Sequence, residues 1–205
     1  MAARLKLPFG TLSYPTLKEP RKVGDATKAT YSCVIIFPED ADLTELENAC
    51  IAVAEEKFGK DRTAKMIKAG SLKWPIKDGD EYASRKDGNE VYEGRKYVNL
   101  KSEEQPGLVG PRGGPDGRPE TYSPDQFYAG CVVRASVGVS AYDHPQGGKG
   151  VGLYLNNLQF AKHGPRLDNR RRAEDEFDVI DDEADELEDA IDPLGVAVVM
   201  EGTHL

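Results

Sequence analysis

A chain of 205 residues can form one sizeable domain with extensions, and its 39% hydrophobic residues, 21 glycines and 13 prolines are ordinary for a loop-rich β or α+β domain. No stretch approaches the roughly 18 apolar residues that a membrane-spanning helix needs, and residues 1–6 lack the apolar core of a signal peptide. The sequence therefore predicts a cytoplasmic protein without a membrane partner.

The net charge of −9 is distributed unevenly along the chain. Residues 1–173 contain all 27 Lys and Arg with 23 Asp and Glu, whereas residues 174–205 contain 13 acidic residues and no basic one. Arginines at 170–172 precede twelve acidic residues between 174 and 192. We predict a mildly basic domain over 1–173 that binds a polyanion, and a largely disordered acidic tail over 174–205. The tail either imitates the polyanion or only confers solubility, and both interpretations remain open.

The first 38 residues predict β structure. Short extended pieces at 5–7 and 10–14 are broken by Pro8 and Pro15, and a loop follows near Gly24. Residues 30–37 are β-branched and aromatic, which is typical of a central strand. Alternation along this strand separates positions 31, 33, 35 and 37 from positions 32, 34 and 36.

One main helix is predicted after this strand. Asp42 is a suitable N-cap, Glu45 follows three residues later, and apolar residues recur at helical spacing over 43–54. Phe58-Gly59 closes the helix. Residues 61–69 predict a second, shorter helical segment.

The middle of the chain combines turns with one strand. Residues 71–94 are polar and rich in Gly and Asp, which predicts loops. In the strand at 95–101, Val98 and Leu100 are expected to point inward, and Tyr97, Asn99 and Lys101 to point the other way. Residues 105–120 contain five glycines and four prolines and also predict a loop.

The clearest strand pattern lies between residues 131 and 160. Small apolar residues alternate with polar ones over 131–142, residues 145–150 predict a hairpin loop, and residues 151–160 the returning strand. Several strands with one main helix after a central strand are typical of a small barrel. The predicted fold class is mainly β, an OB-fold-like β-barrel with one main α-helix and a disordered acidic C-terminal tail.

The sequence contains no complete motif for catalysis or for a cofactor. Gly147-Gly148-Lys149-Gly150 resembles part of a phosphate-binding loop, but Asp143 stands where the first Gly belongs. The Asp-Gly turns lack the Gly of a calcium loop, and no Cys or His cluster has metal-ligand spacing. The three cysteines, in apolar surroundings, predict buried thiols. We predict a non-enzymatic protein without a cofactor or metal, although dispersed carboxylates could still meet at a metal site after folding, as in a metal-dependent nuclease.

Basic and aromatic residues are interleaved between positions 73 and 154. Proteins that bind single strands combine cations, which contact phosphates, with flat rings, which stack on bases for about 1–3 kcal/mol each. Any single ring could instead belong to the core. The candidate DNA-binding residues are Lys73, Trp74, Lys77, Arg95, Tyr97, Lys101, Arg134, Tyr142, Lys149 and Tyr154. Among them, Tyr97 and Lys101 share the strand face opposite Val98 and Leu100.

Six short motifs occur in a fixed order, with the amphipathic helix after the first: YSCVIIFP at 31–38, IKDGD at 76–80, YVNLKS at 97–102, FYAGC at 127–131, GLYLNNLQ at 152–159 and AEDEF at 173–177. Over about residues 8–178 this set resembles the bacteriophage single-stranded DNA-binding proteins, a family long catalogued as a domain of unknown function. The resemblance implies an OB-fold, binding of single-stranded DNA without sequence preference, and a role in phage replication, recombination or repair in the host cell cytoplasm.

The leading hypothesis is a single-stranded DNA-binding protein whose acidic tail competes with DNA or contacts replication or recombination proteins, with a homo-oligomer also possible. The alternative is a phage structural or assembly protein that uses its β domain and tail for protein contacts. The modest +4 of residues 1–173 leaves this alternative open, because strong nucleic-acid binders are often more basic.

Overall fold

The computed structural model describes residues 3–22, 24, 28–85, 90–114, 116–145 and 147–167. Met1–Asp168 forms one compact unit. The predicted acidic tail, the arginines before it and the predicted domain boundary at residue 173 lie outside the described residues. Within the described part, no helix is long and apolar enough to cross a membrane.

The described residues form nine strands and three helices. In chain order they are β1 Ala3–Lys6, β2 Gly10–Arg21, β3 Thr30–Ile36, α1 Thr44–Phe58, α2 Lys60–Lys68, β4 Ile76–Asp78, α3 Gly79–Ala83, β5 Lys96–Ser102, β6 Gly107–Gly113, β7 Pro119–Thr121, β8 Val132–His144 and β9 Gly148–Lys162. Short 3₁₀ turns lie at Glu90–Tyr92 and Pro124–Gln126.

Five of the strands pair in a closed ring. β2 pairs with β3, β3 with β5, β5 with β9, β9 with β8, and β8 returns to β2. β1 adds to β8, β4 adds to β5, and β6 and β7 extend the sheet from β9. The ring, with its main helix after the second ring strand, has the OB-fold-like architecture that the sequence predicts.

The long β8–β9 hairpin follows from strict alternation. Val133, Ala135, Val137 and Val139 are buried in the core, and Arg134, Ser136 and Gly138 alternate with them on the outer face. Ser136 pairs with Asn157 and Val137 with Leu155, so β9 carries one extra residue at this point. That bulge keeps apolar side chains inside the ring on both sides of the irregularity.

The helices begin and end close to the predicted positions. α1 begins at Thr44 with Leu43 as N-cap, and the Asp42 carboxylate accepts a hydrogen bond from the Thr44 N–H at 2.9 Å. Hydrogen bonds from the Thr44 side chain and from its backbone N–H lower the pKa of Asp42. Gly59, with φ 85°, separates α1 from α2.

Three predictions about loops were wrong. Pro15 does not end a strand, because β2 continues through it with a register shift between Ser13 and Thr16. Residues 71–94 contain β4, α3 and a 3₁₀ turn, and residues 105–120 contain β6 and β7. These pieces are only three to seven residues long, so they are too short to show a clear periodicity in the sequence.

The core has two parts. The main cluster fills the ring and takes in Leu46, Cys50 and Ala54 of α1. A second, smaller cluster lies on the outer face, where Ile36, Tyr92 and Tyr97 are buried together.

All three cysteines are free thiols and buried, as predicted. Burial raises the pKa of Cys33 and Cys50 to about 12 and that of Cys131 to about 11. The thiols are therefore neutral and act as small apolar side chains.

Candidate nucleic-acid interface

One row of residues crosses the outer surface of the ring from strand to strand. Ser32 on β3 pairs with Lys101 on β5, Lys101 pairs with Tyr154 on β9, and Tyr154 pairs with Gly138 on β8. Paired residues project on the same side of a sheet, so these four positions form a continuous strip. The strip brings together two of the predicted DNA-binding residues, Lys101 and Tyr154.

Tyr154 offers an accessible aromatic ring. Its side chain is 51% exposed, and its cross-strand neighbour, Gly138, has no side chain to cover it. The ring is therefore fixed at its base by a central strand of the barrel and open above. An exposed ring on a rigid strand is suited to stacking on a planar ligand.

Two of the predicted lysines have available charges on the outer face. Lys101 and Lys77 are exposed, and neither takes part in the salt bridges found within the described residues. Lys77 lies on β4 opposite Tyr97, with its Nζ 6.0 Å from the centre of that ring. Both ammonium groups are thus available to an anion. Lys101 belongs to the strip, whereas Lys77 lies beside Tyr97, four residues or about 13 Å from Lys101 along β5.

Tyr97 lies on the predicted face of β5 but is only 8% exposed. The segment after β4 folds over it, so that the Tyr82 and Tyr92 rings pack against it with centroids 5.6 Å and 5.2 Å away. The Tyr92 hydroxyl donates to Ser13 Oγ at 3.1 Å in this buried site. Burial raises the pKa of Tyr92 to about 12, so the hydroxyl keeps its proton. The strand alternation was correct, but Tyr97 packs beneath other rings and has little face to offer a base.

A second group of candidates meets at the β8–β9 hairpin. The Lys73 N–H donates to the Lys149 carbonyl at 2.9 Å, and the Tyr142 ring lies against Gly150. The Lys149 ammonium is already engaged, at 2.7 Å from the Asp143 carboxylate. Trp74 is half-buried and packs on the main core. Gly150 lies on the same face of β9 as Tyr154, four residues or about 13 Å along the strand, whereas Lys149 alternates onto the other face.

Arg134 lies apart from both groups, and Arg95 lies near Lys77 at the start of α3. The Arg134 Nε donates to Gln159 Oε1 at 2.8 Å, and its guanidinium lies 5.0 Å from the centre of the exposed Phe9 ring. Arg95 is half-buried and its carbonyl accepts from the Gly79 N–H at 2.8 Å. The structure therefore divides the ten predicted residues among separate places, and Lys101 and Tyr154 are the exposed pair that strand pairing brings side by side.

One exposed ring beside the strip was not predicted from the sequence. Tyr14 on β2 is 53% exposed, and its hydroxyl lies 3.5 Å from that of Tyr82. The sequence does contain an indication, because Leu12 and Leu17 are five positions apart and both apolar, which a regular strand would not place on one face.

Within the described residues, no three or more His, Cys, Asp or Glu side chains converge as metal ligands. The Asp78-Gly79-Asp80 turn, a candidate for calcium binding that the sequence already disfavoured, instead begins α3. The Asp78 carboxylate accepts from the Asp80 N–H at 2.9 Å, as an N-cap does.

Comparison with known proteins assigns the chain to a family. A family model described as the ssDNA-binding protein of Enterobacter phage Enc34 matches residues 7–190. The chain belongs to this family. The match includes every predicted DNA-binding residue and confirms the predicted resemblance to phage single-stranded DNA-binding proteins. It also favours nucleic-acid binding over the structural or assembly alternative.

Solved structures share the fold at low sequence identity. The single-stranded DNA-binding protein from bacteriophage Enc34 in complex with ssDNA has a TM-score of 0.62 and 19% identity, covering 80% of this chain and 89% of that one. A second structure of the Enc34 protein has a TM-score of 0.59 and 20% identity, covering 85% and 90%. For gp2.5, a single-stranded DNA-binding protein encoded by bacteriophage T7, the values are 0.54, 12%, 96% and 98%. No curated protein matches the chain.

Proposed function

We propose that this chain binds single-stranded DNA without sequence preference, through the outer face of β3, β5 and β9. The observation that carries the proposal is the open Tyr154 ring beside the available ammonium group of Lys101 on one strip of a closed OB-fold-like ring. In OB-folds the outer face of the second and third ring strands binds oligonucleotides, and here these strands are β3 and β5. Membership of a family of ssDNA-binding proteins supports the same function.

The chemistry of the strip suits a flexible single strand. Lys101 and Lys77 would contact phosphates, and the Tyr154 ring would stack on a base. Every base has a flat face, and phosphates do not differ between nucleotides, so neither contact selects a sequence. A duplex keeps its bases stacked inside, and the strip would offer it only the weaker phosphate contacts. The proposal assigns no catalytic step to the protein.

We further propose that the acidic tail competes with DNA for this face or contacts replication or recombination proteins. Leu167, the last described residue, packs on the cluster of Ile36, Tyr92 and Tyr97, and its N–H donates to the Ala129 carbonyl at 3.0 Å. Residues 174–205 contain 13 acidic and no basic residues, whereas residues 1–173 carry a net charge of +4, so the acidic segment has the charge needed to compete with phosphates for the lysines of the same chain.

A gel-shift experiment tests the main proposal. Labelled oligo-dT and a duplex of the same length are titrated with the full chain at two salt concentrations. We expect tighter binding of oligo-dT than of duplex, weakened as salt rises. Absence of a complex with oligo-dT at low salt would contradict the proposal, and equal affinity for both DNAs would contradict the stacking component.

A further inference from the structure

β2 contains one residue more than its partner strand. Ser13 pairs with Val34 and Thr16 with Ser32, so three steps along β2 oppose two steps along β3. Leu12 and Leu17 are both buried inside the ring although they are five positions apart. In a regular strand, residues separated by an odd number of positions lie on opposite faces. The extra residue in β2 therefore returns the Leu17 side chain to the inner face. The bulge between Ser13 and Thr16 is what allows β2 to fill the core on both sides of it.

The bulge turns Tyr14 outward at a conformational cost. Tyr14 has φ 44°, and among the described residues no other non-glycine has a positive φ. A bulky residue in this region typically costs about 1–3 kcal/mol, and such residues concentrate at ligand sites. The ring gains little burial in return, because it is 53% exposed. Core packing therefore explains the bulge but not the choice of a tyrosine at its exposed position.

The surroundings of Tyr14 hold its ring beside the strip. Its hydroxyl lies 3.5 Å from that of Tyr82, whose ring packs against Tyr92 with centroids 4.7 Å apart. β2, β3, β5 and β9 are successive neighbours in the ring, so Tyr14 and Tyr154 lie on either side of Lys101. Three strand spacings separate β2 from β9, or about 14 Å along the sheet.

We propose that Tyr14 is a second base-stacking platform for single-stranded nucleic acid. One base stacks on Tyr14 and another on Tyr154, and the intervening backbone crosses β3 and β5 past Lys101. The inference rests on the proposed function and adds the path of the nucleic acid. The bound single strand crosses β2, β3, β5 and β9 and does not run along any one of them.

The test uses two substitutions at the same position in the full chain. Tyr14→Gly removes the ring and suits a positive φ, so we expect a melting temperature near that of the unchanged protein. Its affinity for oligo-dT, measured by fluorescence anisotropy, should fall about 5- to 150-fold. Tyr14→Phe keeps the ring and loses only the hydroxyl, and should bind within about twofold of the unchanged protein.

An oligonucleotide of the same length made of abasic sites supplies the second readout. With no base to stack, the unchanged protein and Tyr14→Gly should bind it equally, whereas a structural defect would weaken both DNAs alike. Wild-type affinity of Tyr14→Gly for oligo-dT, or a loss in Tyr14→Phe as large as in Tyr14→Gly, overturns the stacking role.

Tyr154→Ala separates this inference from the proposed function. If Tyr154→Ala weakens oligo-dT binding and Tyr14→Gly does not, the DNA-binding face stands and the Tyr14 platform fails. If the unchanged protein does not bind oligo-dT, the proposed function itself fails.

Discussion

Substitution of Lys101 by Gln should reduce the salt dependence of DNA binding by a defined amount. Lys101 is exposed beside Tyr154 and takes part in no salt bridge within the described residues, so nothing in the barrel neutralises its charge before DNA arrives. Lys149 makes the natural comparison, because its ammonium is held 2.7 Å from the Asp143 carboxylate. Lys149 lies five residues before Tyr154 on β9 and so alternates onto the other face of the strand, and its side chain is only 28% exposed. The comparison is therefore between a lysine beside Tyr154 whose charge is available and a lysine whose charge is already paired.

The magnitude follows from counterion release. Each phosphate neutralised on a single strand contributes about 0.7 to the slope of log affinity against log salt concentration. Loss of one contact at Lys101 should therefore lower the slope by about 0.7. Over a fourfold rise in salt, the affinity of the unchanged protein should fall about 2.6-fold more than that of Lys101→Gln. Lys149→Gln should lower the slope by less than about half as much. The Lys149 ammonium is already neutralised by Asp143, so it would have to give up this ion pair before it could bind a phosphate.

Fluorescence anisotropy with labelled oligo-dT at several salt concentrations measures both slopes. Melting temperatures should stay unchanged, because both side chains lie on the surface and neither belongs to the core. A wild-type slope in Lys101→Gln, or equal slopes in the two variants, would refute the assignment of Lys101 to the DNA-binding strip.

Three further predictions concern the tail, the buried hydroxyl and the thiols. Deletion of residues 174–205 should raise oligo-dT affinity at low salt and steepen its salt dependence, and an unchanged slope would remove the case for competition. Tyr92→Phe leaves Ser13 Oγ without its buried partner and should lower the free energy of unfolding in urea by about 1–2 kcal/mol, whereas Tyr154→Phe, which loses an exposed hydroxyl, should change it by less than about 0.5 kcal/mol. The three cysteines have a raised pKa in the folded state, so their contribution to stability is complete below pH 9 and should be lost between pH 9 and about 12, as urea unfolding at successive pH values would reveal. Rapid reaction of these thiols with a disulfide reagent at pH 8 in the native protein would contradict their burial.

Period-two alternation predicted the parts of the fold that depend on neighbours in sequence. It identified the β8–β9 hairpin, the central strand β3, and the outward position of Lys101 on β5. The main helix after β3 and its end at Gly59 were also predictable, since helical spacing and glycine at a positive φ are local features. Together they were sufficient for the OB-fold-like class.

Tyr97 shows that local sequence pattern predicts the face of a strand residue but not its exposure. Alternation placed it on the outer face together with Lys101, and the strand does present it there. Its ring is nevertheless covered by Tyr82 and Tyr92, which come from a segment that the sequence indicated only as polar turns. Whether an outward ring is open depends on what folds over it, and that contact is not encoded in the strand. Tyr14 is the reverse case, since Pro15 suggested a break and the structure contains a bulge.

The closed ring of strands determines how the barrel exchanges its amide hydrogens. Each of the five ring strands is hydrogen-bonded on both sides, so no ring strand can separate without breaking two ladders. The three residues of β7 are all exposed and pair with β6 alone among the described strands, so their amides should exchange through local fraying. Amides of β3 and β5 should exchange only on global unfolding. Bound oligonucleotide should raise the free energy of unfolding that these amides report by RT ln(1 + [L]/Kd), where [L] is the concentration of free oligonucleotide. Hydrogen exchange at the centre of the barrel would therefore measure the DNA affinity without a label.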